Sequence, residues 1–221
     1  MTARSEELAS RLKDVRTEIV TAARGAGRDP DEITLIVVTK NFPTSDAQIL
    51  WELGERNFGE NRDQEAGPKS LELPPDITWH FQGQVQSKKI KSIVQWADVV
   101  HSLDSLDHAE KFNHFPRRAY FIQLSFEPEA EHRGGVPVDG LSDFYNKVSS
   151  LENLQISGLM VVPPLASDPQ QIFSRVAQEA ANLGLTKLSM GMSGDYREAI
   201  AAGATHIRVG SSILGSRTLP A

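Results

Sequence analysis

The sequence predicts an α/β protein whose strands close into a parallel (β/α)8 barrel. Strand-like and helix-like segments alternate along its 221 residues, and eight strand patterns occur in all. The first of them, residues 33–39, is apolar or β-branched throughout. A strand without polar alternation is typical of a parallel sheet covered on both faces, and the alternation with helices is the barrel pattern. An open doubly wound sheet gives the same alternation and is the structural alternative.

The predicted elements follow one another at short intervals. The strands are residues 33–39, 56–58, 78–81, 98–101, 119–124, 156–161, 187–190 and 206–209. Helical patterns fill the gaps, at residues 45–53, 64–71, 85–96, 106–112, 141–151, 170–183 and 196–202. An amphipathic helix within residues 1–27 is expected to flank the barrel, because apolar residues recur there at helical spacing: Leu8, Leu12, Val15, Ile19 and Ala23. We expect residues 1–221 to form a single domain.

Composition excludes several classes of function. The net charge of −6 argues against general nucleic-acid or anionic-membrane binding, and no apolar stretch is long enough for a transmembrane helix. The chain has no cysteine, which excludes disulfides, thiolate catalysis and cysteine metal sites and fits a cytoplasmic protein. The histidines lack metal-ligand spacing, so no metal site is predicted.

Lys40 is the first candidate functional residue, because it ends the apolar first strand. Desolvation disfavours the charged ammonium, and a partly neutral lysine amine is a nucleophile that condenses with aldehydes to a Schiff base. The loops after barrel strands form the rim where active sites lie, so Lys40 points at that rim. The alternative is that Lys40 turns to solvent or pairs with a carboxylate.

Two glycine–serine turns follow the last two predicted strands. Ser193-Gly194 precedes a helix, and Gly210-Ser211 lies where the final strand meets a short helix. Free backbone N–H groups at such turns bind anions, and barrels often bind phosphate between these two loops. Each turn alone could also be a capped helix without a ligand. A phosphate and an aldehyde on one small molecule point to pyridoxal 5′-phosphate as the cofactor.

Further polar residues are expected near the same rim. Arg208, two residues before Gly210, is predicted to face the barrel interior, where it contacts either the cofactor ring or an acid such as Glu60. Asn61 follows the second strand and offers an amide to the rim. His80 is either a polar cofactor contact or a hydrogen-bonded core histidine.

Several motifs together resemble the pyridoxal 5′-phosphate homeostasis protein family. The matching segments are Val38-Thr-Lys40-Asn-Phe-Pro43, Gly59-Glu-Asn61-Arg-Asp-Gln64-Glu65, Trp79-His-Phe-Gln-Gly83-Gln-Val-Gln86, Gly158-Leu-Met160, Leu188-Ser-Met-Gly-Met-Ser193-Gly-Asp195 and Gly203-Ala-Thr-His-Ile-Arg208-Val-Gly210-Ser. They run in the family's order and cover nearly the whole chain.

The resemblance implies a barrel similar to the N-terminal domain of alanine racemase, with a Schiff base on Lys40. It also implies that the turns at Ser193-Gly194 and Gly210-Ser211 bind phosphate, and that the pocket is lined by Asn61, His80, Met190 and Arg208. One departure is a family lysine in the loop after the fifth strand, for which Arg133 is only a possible substitute.

The resemblance favours a protein that buffers or delivers pyridoxal 5′-phosphate, with PLP-dependent apoenzymes as possible partners and a monomer or weak dimer as the expected state. A PLP-dependent racemase is an alternative, but racemisation needs acid/base groups on both faces of the substrate. The tyrosines, Tyr120, Tyr145 and Tyr196, lie within the barrel part, and only Tyr196 is expected near the rim. A sugar-phosphate aldolase with Lys40 as its amine is the third reading.

Overall fold

A closed barrel of parallel strands forms the centre of the computed structural model, which describes residues 2–127 and 134–215. Its strands are β1 (Thr34–Val38), β2 (Asn57–Glu60), β3 (Thr78–Phe81), β4 (Val99–Leu103), β5 (Arg118–Ser125), β7 (Leu154–Val161), β8 (Lys187–Met192) and β9 (His206–Val209). A two-residue strand, β6 (Val136–Pro137), pairs only with the end of β5.

Closure of the barrel follows from two pairings. β1 pairs with both β2 and β9, and β4 pairs with β5, so every barrel strand has two parallel neighbours. The prediction of a closed barrel is confirmed, and the open doubly wound sheet is excluded. The strand predicted at residues 56–58 is β2, which begins one residue later than expected and continues to Glu60.

Helices cover the outside of the barrel. They are α1 (Ala3–Gly25), α2 (Thr44–Glu52), α3 (Asp63–Glu72), α4 (Ile90–Trp96), α5 (Leu106–Phe112), α6 (Leu141–Ser149), α7 (Pro169–Asn182), α8 (Tyr196–Ala201) and α9 (Ser211–Leu214). α1 packs on α8 and α9 through the five apolar residues that predicted it. Within the described ranges, no helix has the length and apolarity needed to cross a membrane.

One helix prediction was too long. The pattern at residues 85–96 yields α4 only from Ile90, preceded by a 3-10 turn over Ser87–Lys89. Gln86 is extended, with φ −117° and ψ 130°, and therefore cannot belong to a helix that begins at residue 85.

Strand side chains alternate between two layers. Val37, Trp79 and Phe81 point outward and join the main apolar cluster with helix residues. Ile36 and His80 occupy the alternate positions, and these face the barrel interior. The outer layer thus supplies the hydrophobic core, which leaves the interior free to carry polar groups.

Candidate functional site

A cavity of about 430 Å³ opens where the barrel strands end. This volume lies in the range of small-molecule sites. Seven of the residues predicted from the sequence line it: Lys40, Asn61, Ser193, Gly194, Arg208, Gly210 and Ser211. They come from the neighbouring strands β2, β1, β9 and β8 or from the loops that follow them. Barrel closure therefore assembles the site from opposite ends of the sequence.

Lys40 lies in a tight turn directly after β1. The Phe42 N–H donates to the Thr39 carbonyl at 3.1 Å, which closes a turn with Lys40 and Asn41 at its corner positions. Asn41 has φ +64°, the left-handed conformation that type II turns require at the third position and that asparagine tolerates. The turn presents the Lys40 side chain, which is half-buried, to the cavity.

The two glycine–serine turns meet at one end of the cavity. Ser193 Oγ accepts hydrogen bonds at 3.4 Å from the backbone N–H groups of Gly210 and Ser212. Asp195 holds the first turn by accepting from the Met192 N–H at 2.6 Å. At Gly194 an added Cβ would meet no atom within 4 Å. Because Ser193 Oγ accepts from these two amides, its own hydrogen can donate to an anion, and the open space beside Gly194 leaves room for one.

Arg208 is a buried cation held by neutral partners. Its Nη1 donates to Ser189 Oγ at 2.8 Å, and its Nη2 donates to the Val161 carbonyl at 2.9 Å. Burial lowers the pKa of Arg208 to about 10, so it remains charged at neutral pH. The alternative of a salt bridge with Glu60 is wrong, because Glu60 points to the outer layer and pairs with Lys69 there.

His80 lies inside the barrel, but below the cavity. Its Nε2 lies 3.1 Å from Asn57 Oδ1, and its Nδ1 lies 2.8 Å from His101 Nε2. Burial lowers the pKa of His80 to about 3, and the pKa of His101 lies well below its usual value for the same reason. Both rings are therefore neutral. The prediction that His80 lines the pocket is corrected, and its alternative interpretation as a core histidine is the better description.

Met190 does not line the cavity either. It belongs to the apolar cluster between the barrel and its helices and is fully buried there. The pairing of β8 with β9 shifts between Ser189 and Met192, across Gly191, whose φ is +92°. Met190 faces outward because Ser189 before it points inward, and the extra residue in β8 turns Met192 toward the cavity.

Other lining residues were not predicted as site residues: Val38, Phe42, Gln82, Met160, Val162, Met192 and Gly215. Gln82 is the most informative, since its Nε2 atom is buried without a hydrogen-bond partner among the described residues. It lies two residues beyond His80 on the same face, so strand alternation contained the signal that could have found it.

The cavity lining carries few groups that titrate. Of the lining residues in the described ranges, Lys40 and Arg208 are the ones with an ionisable side chain. No cluster of three potential metal ligands occurs in residues 2–127 and 134–215. Arg133, the possible substitute for a family lysine, lies outside the described residues.

Comparison with known proteins gives a consistent result. The family described as "Alanine racemase, N-terminal domain" matches residues 33–218. A pyridoxal phosphate homeostasis protein of Corynebacterium glutamicum is 40% identical over 209 residues, which cover 87% of this chain and 94% of that protein. The structure of PipY from Synechococcus elongatus with PLP bound has a TM-score of 0.83 and 35% identity, covering 94% of this chain and 100% of PipY.

A more distant structure shows the shared fold. The alanine racemase of Corynebacterium glutamicum has a TM-score of 0.67 at 16% identity, and the match covers 95% of this chain but 60% of the racemase. The racemase is therefore a longer protein that contains the same barrel. The family match and the close relatives agree with the barrel and its cavity, and we conclude that this chain belongs to the alanine racemase N-terminal domain family and, within it, to the pyridoxal phosphate homeostasis proteins.

Proposed function

We propose that this protein binds pyridoxal 5′-phosphate as a Schiff base on Lys40 and takes part in its intracellular homeostasis. The observation that carries the proposal is one cavity lined by both the Lys40 amine and the two glycine–serine turns. Condensation of a neutral amine with the aldehyde forms a C=N bond and releases one water molecule, which takes the carbonyl oxygen and both amine hydrogens. The reactive aldehyde is thereby sequestered.

The residues present fit such a ligand. Gln82 Nε2 offers a buried donor without a partner in the described chain, and Gly194 leaves open space at the turn. The Ser193-Gly194 and Gly210-Ser211 turns would hold the phosphate, while Arg208 adds a positive charge to the cavity wall. The PLP-bound PipY structure, 35% identical to this chain, supports the same ligand.

A binding role without robust turnover is favoured over racemisation. Racemisation needs a second acid/base group opposite the lysine. Tyr120 is buried in β5, Tyr145 lies on α6, and Tyr196 donates its hydroxyl hydrogen to Glu18 on α1. None of the three lines the cavity. The names of the homologues, which refer to homeostasis, support the same choice.

The proposal extends to the setting in which the protein works. We place it in the cytoplasm as a single-domain monomer or weak dimer, with PLP-dependent apoenzymes as recipients of the cofactor. A reservoir must release its cargo, and a Schiff base is suited to this because water or another amine reverses it. The cavity opens at the strand ends, so exchange needs no separation of barrel strands.

The test is the visible spectrum of the purified protein with pyridoxal 5′-phosphate, followed by borohydride reduction and mass analysis. We expect an imine band and a fixed mass increment on Lys40. Lys40→Ala should abolish both. Because a partly buried charge is costly to desolvate, its removal should change the free energy of unfolding by less than about 1 kcal/mol. Lys187→Ala, at the opposite end of the barrel, is the matched control and should retain the band.

Two results would contradict the proposal. One is a colourless protein that takes up no pyridoxal 5′-phosphate, which would favour the sugar-phosphate aldolase alternative. The other is a reduced adduct on a lysine other than Lys40. Racemisation of alanine above the level of the Lys40→Ala variant would instead promote the enzyme hypothesis.

A further inference from the structure

Helix α3 contacts the backbone on both sides of Lys40. Lys69 donates from Nζ to the Thr39 carbonyl at 2.9 Å. Glu65 accepts from the Asn41 N–H at 2.9 Å through Oε2. Both contacts come from one helix, and each addresses a peptide group directly attached to the Lys40 Cα.

These two contacts fix how the Lys40 side chain leaves the backbone. The Thr39 carbonyl belongs to the peptide plane before the Cα atom of Lys40, and the Asn41 N–H belongs to the plane after it. With both planes held, φ and ψ of Lys40 are fixed, and so is the direction of its Cα–Cβ bond. The Thr39 carbonyl also accepts from Phe42, so both of its lone pairs are used.

The Lys69 contact is part of a buried polar network. Its Nζ lies 2.6 Å from Glu60 Oε1, and Thr39 Oγ1 donates to the same oxygen at 2.7 Å. The side chains of Lys69 and Glu60 are 8% and 0% exposed. A buried ion pair often stabilises a protein no better than apolar residues of similar size, so stability alone is a weak reason for this one. Neither residue lines the cavity, which also excludes a direct contact with its contents.

We propose that Lys69 and Glu65 are positioning residues that direct the Lys40 amine into the cavity. This inference rests on the proposed Schiff base at Lys40. It assigns to α3 a role in the rate of condensation rather than in ligand affinity. The two residues act through the Thr39–Phe42 turn and touch no part of the bound molecule.

The test compares a variant of the network with a matched control. Glu60→Gln/Lys69→Met removes the buried pair and the Lys69 contact without leaving a lone charge. Arg16→Met/Glu55→Gln removes a second ion pair, in which Glu55 is 2% exposed and Arg16, on α1, is 54% exposed. Glu65→Ala is a third variant that removes only the contact with Asn41.

Two ligands separate an effect on the orientation of the Lys40 side chain from an effect on ligand affinity. Pyridoxal 5′-phosphate reports the rate of imine formation, and pyridoxine 5′-phosphate, which has an alcohol instead of the aldehyde, reports binding without condensation. We call Glu60→Gln/Lys69→Met and Glu65→Ala the α3 variants. We expect them to form the imine at least about tenfold more slowly than wild type, since small misplacements of a reacting group carry such costs. Their affinity for pyridoxine 5′-phosphate should stay within about twofold of wild type, and the control should match wild type in both assays.

The outcomes are distinct. The inference is overturned if Glu60→Gln/Lys69→Met and Glu65→Ala both form the imine at the wild-type rate. It is also overturned if the Arg16→Met/Glu55→Gln control loses as much of that rate as they do. Should the double variant fail to fold, Glu65→Ala alone decides in the same way. If the wild type forms no imine, the proposed function fails. Acetic anhydride labelling of ligand-free protein then decides the inference: slower acetylation of Lys40, relative to Lys187, in the α3 variants supports it, and equal acetylation overturns it.

Discussion

The upper and lower halves of the barrel interior are built from the same strands but differ in how their polar groups are satisfied. In the lower half, His101 and His206 pack on Phe121, with the His101 and Phe121 centroids 4.5 Å apart, and His80 packs on both of these histidines. In the upper half, Gln82 lines a cavity of about 430 Å³, and its buried Nε2 has no hydrogen-bond partner among the described residues. A buried polar network in which every group is hydrogen-bonded stabilises the barrel, whereas polar groups without a partner can bind a ligand.

Ser189 joins the two halves. Its hydroxyl accepts from Arg208 Nη1, so its own hydrogen is available to donate to His101 Nδ1, 2.8 Å away. With both rings neutral, His101 Nε2–H then donates to His80 Nδ1, and His80 Nε2–H donates to Asn57 Oδ1. This assignment gives each ring nitrogen of His80 and His101 a hydrogen-bond partner. The lower network thus supports the cation at the cavity wall.

The comparison predicts that the polar network of the lower half stabilises the fold. The substitution with the largest expected effect is His101→Leu. This change leaves His80 Nδ1 without a donor and the Ser189 hydroxyl hydrogen without an acceptor in a buried region. The free energy of unfolding should fall by roughly 2–4 kcal/mol in urea denaturation. His114→Leu, an exposed histidine, is the control. A loss of less than about 0.5 kcal/mol at His101 would mean that the network adds little.

Acid should weaken the lower half specifically. The pKa values of His80 and His206 are lowered to about 3 and about 4 by burial, while both groups titrate near 6.5 in the unfolded chain. The unfolded state therefore binds more protons as the pH falls from about 6.5 toward 4, and stability is lost across that window. Each neutral histidine contributes up to about 1.4 kcal/mol per pH unit.

The pH effect is measured as the slope of the unfolding free energy between pH 6.5 and 4.5. His101→Leu should have a shallower slope than wild type, because one buried histidine no longer titrates in its unfolded state. Ser174→Ala on α7, which removes no ionisable group, should keep the slope of wild type. Identical slopes in wild type and His101→Leu would argue that His101 is protonated in the folded protein.

The upper half is expected to bind the ligand, and the smallest of the predicted effects is that of a substitution at Ser193. Ser193→Ala removes one hydroxyl from the anion end, so affinity for pyridoxal 5′-phosphate should weaken by about 1 kcal/mol, roughly fivefold, with the imine still formed. Calorimetric titration measures this, with Ser174→Ala on the exposed face of α7 as the control. Unchanged affinity would contradict the role given to this turn.

The sequence was sufficient for the features that depend on strand order. Lys40 follows an uninterrupted apolar strand, and the glycine–serine turns follow the last two strands, so barrel topology alone brings them to one rim. The expectation for Met190 came from the resemblance, whereas Met190 follows the inward-pointing Ser189 and therefore faces the outer apolar cluster. The extra residue at Gly191 turns Met192, which plain alternation would place on the same outer face, toward the cavity.

The sequence was less informative about how deep a side chain lies in the barrel and about contacts between distant segments. Alternation placed His80 on the interior face, but how far below the cavity it lies depends on the stagger between strands. The contact between Lys69 and the Thr39 carbonyl joins two segments 30 positions apart, and a lysine in a helical pattern is usually solvated. Burial of Lys69 therefore became visible only in the folded arrangement.

The pairing of β1 with β9 has a consequence for how the protein acquires its ligand. This seam joins the first and last strands of the barrel, and Lys40 and Gly210 lie on its two sides. An incompletely folded chain thus has no binding site, so ligand capture reports completed folding. A ligand that bridges the seam also stabilises it by mass action, and amide hydrogen exchange along β1 and β9 should slow most on saturation.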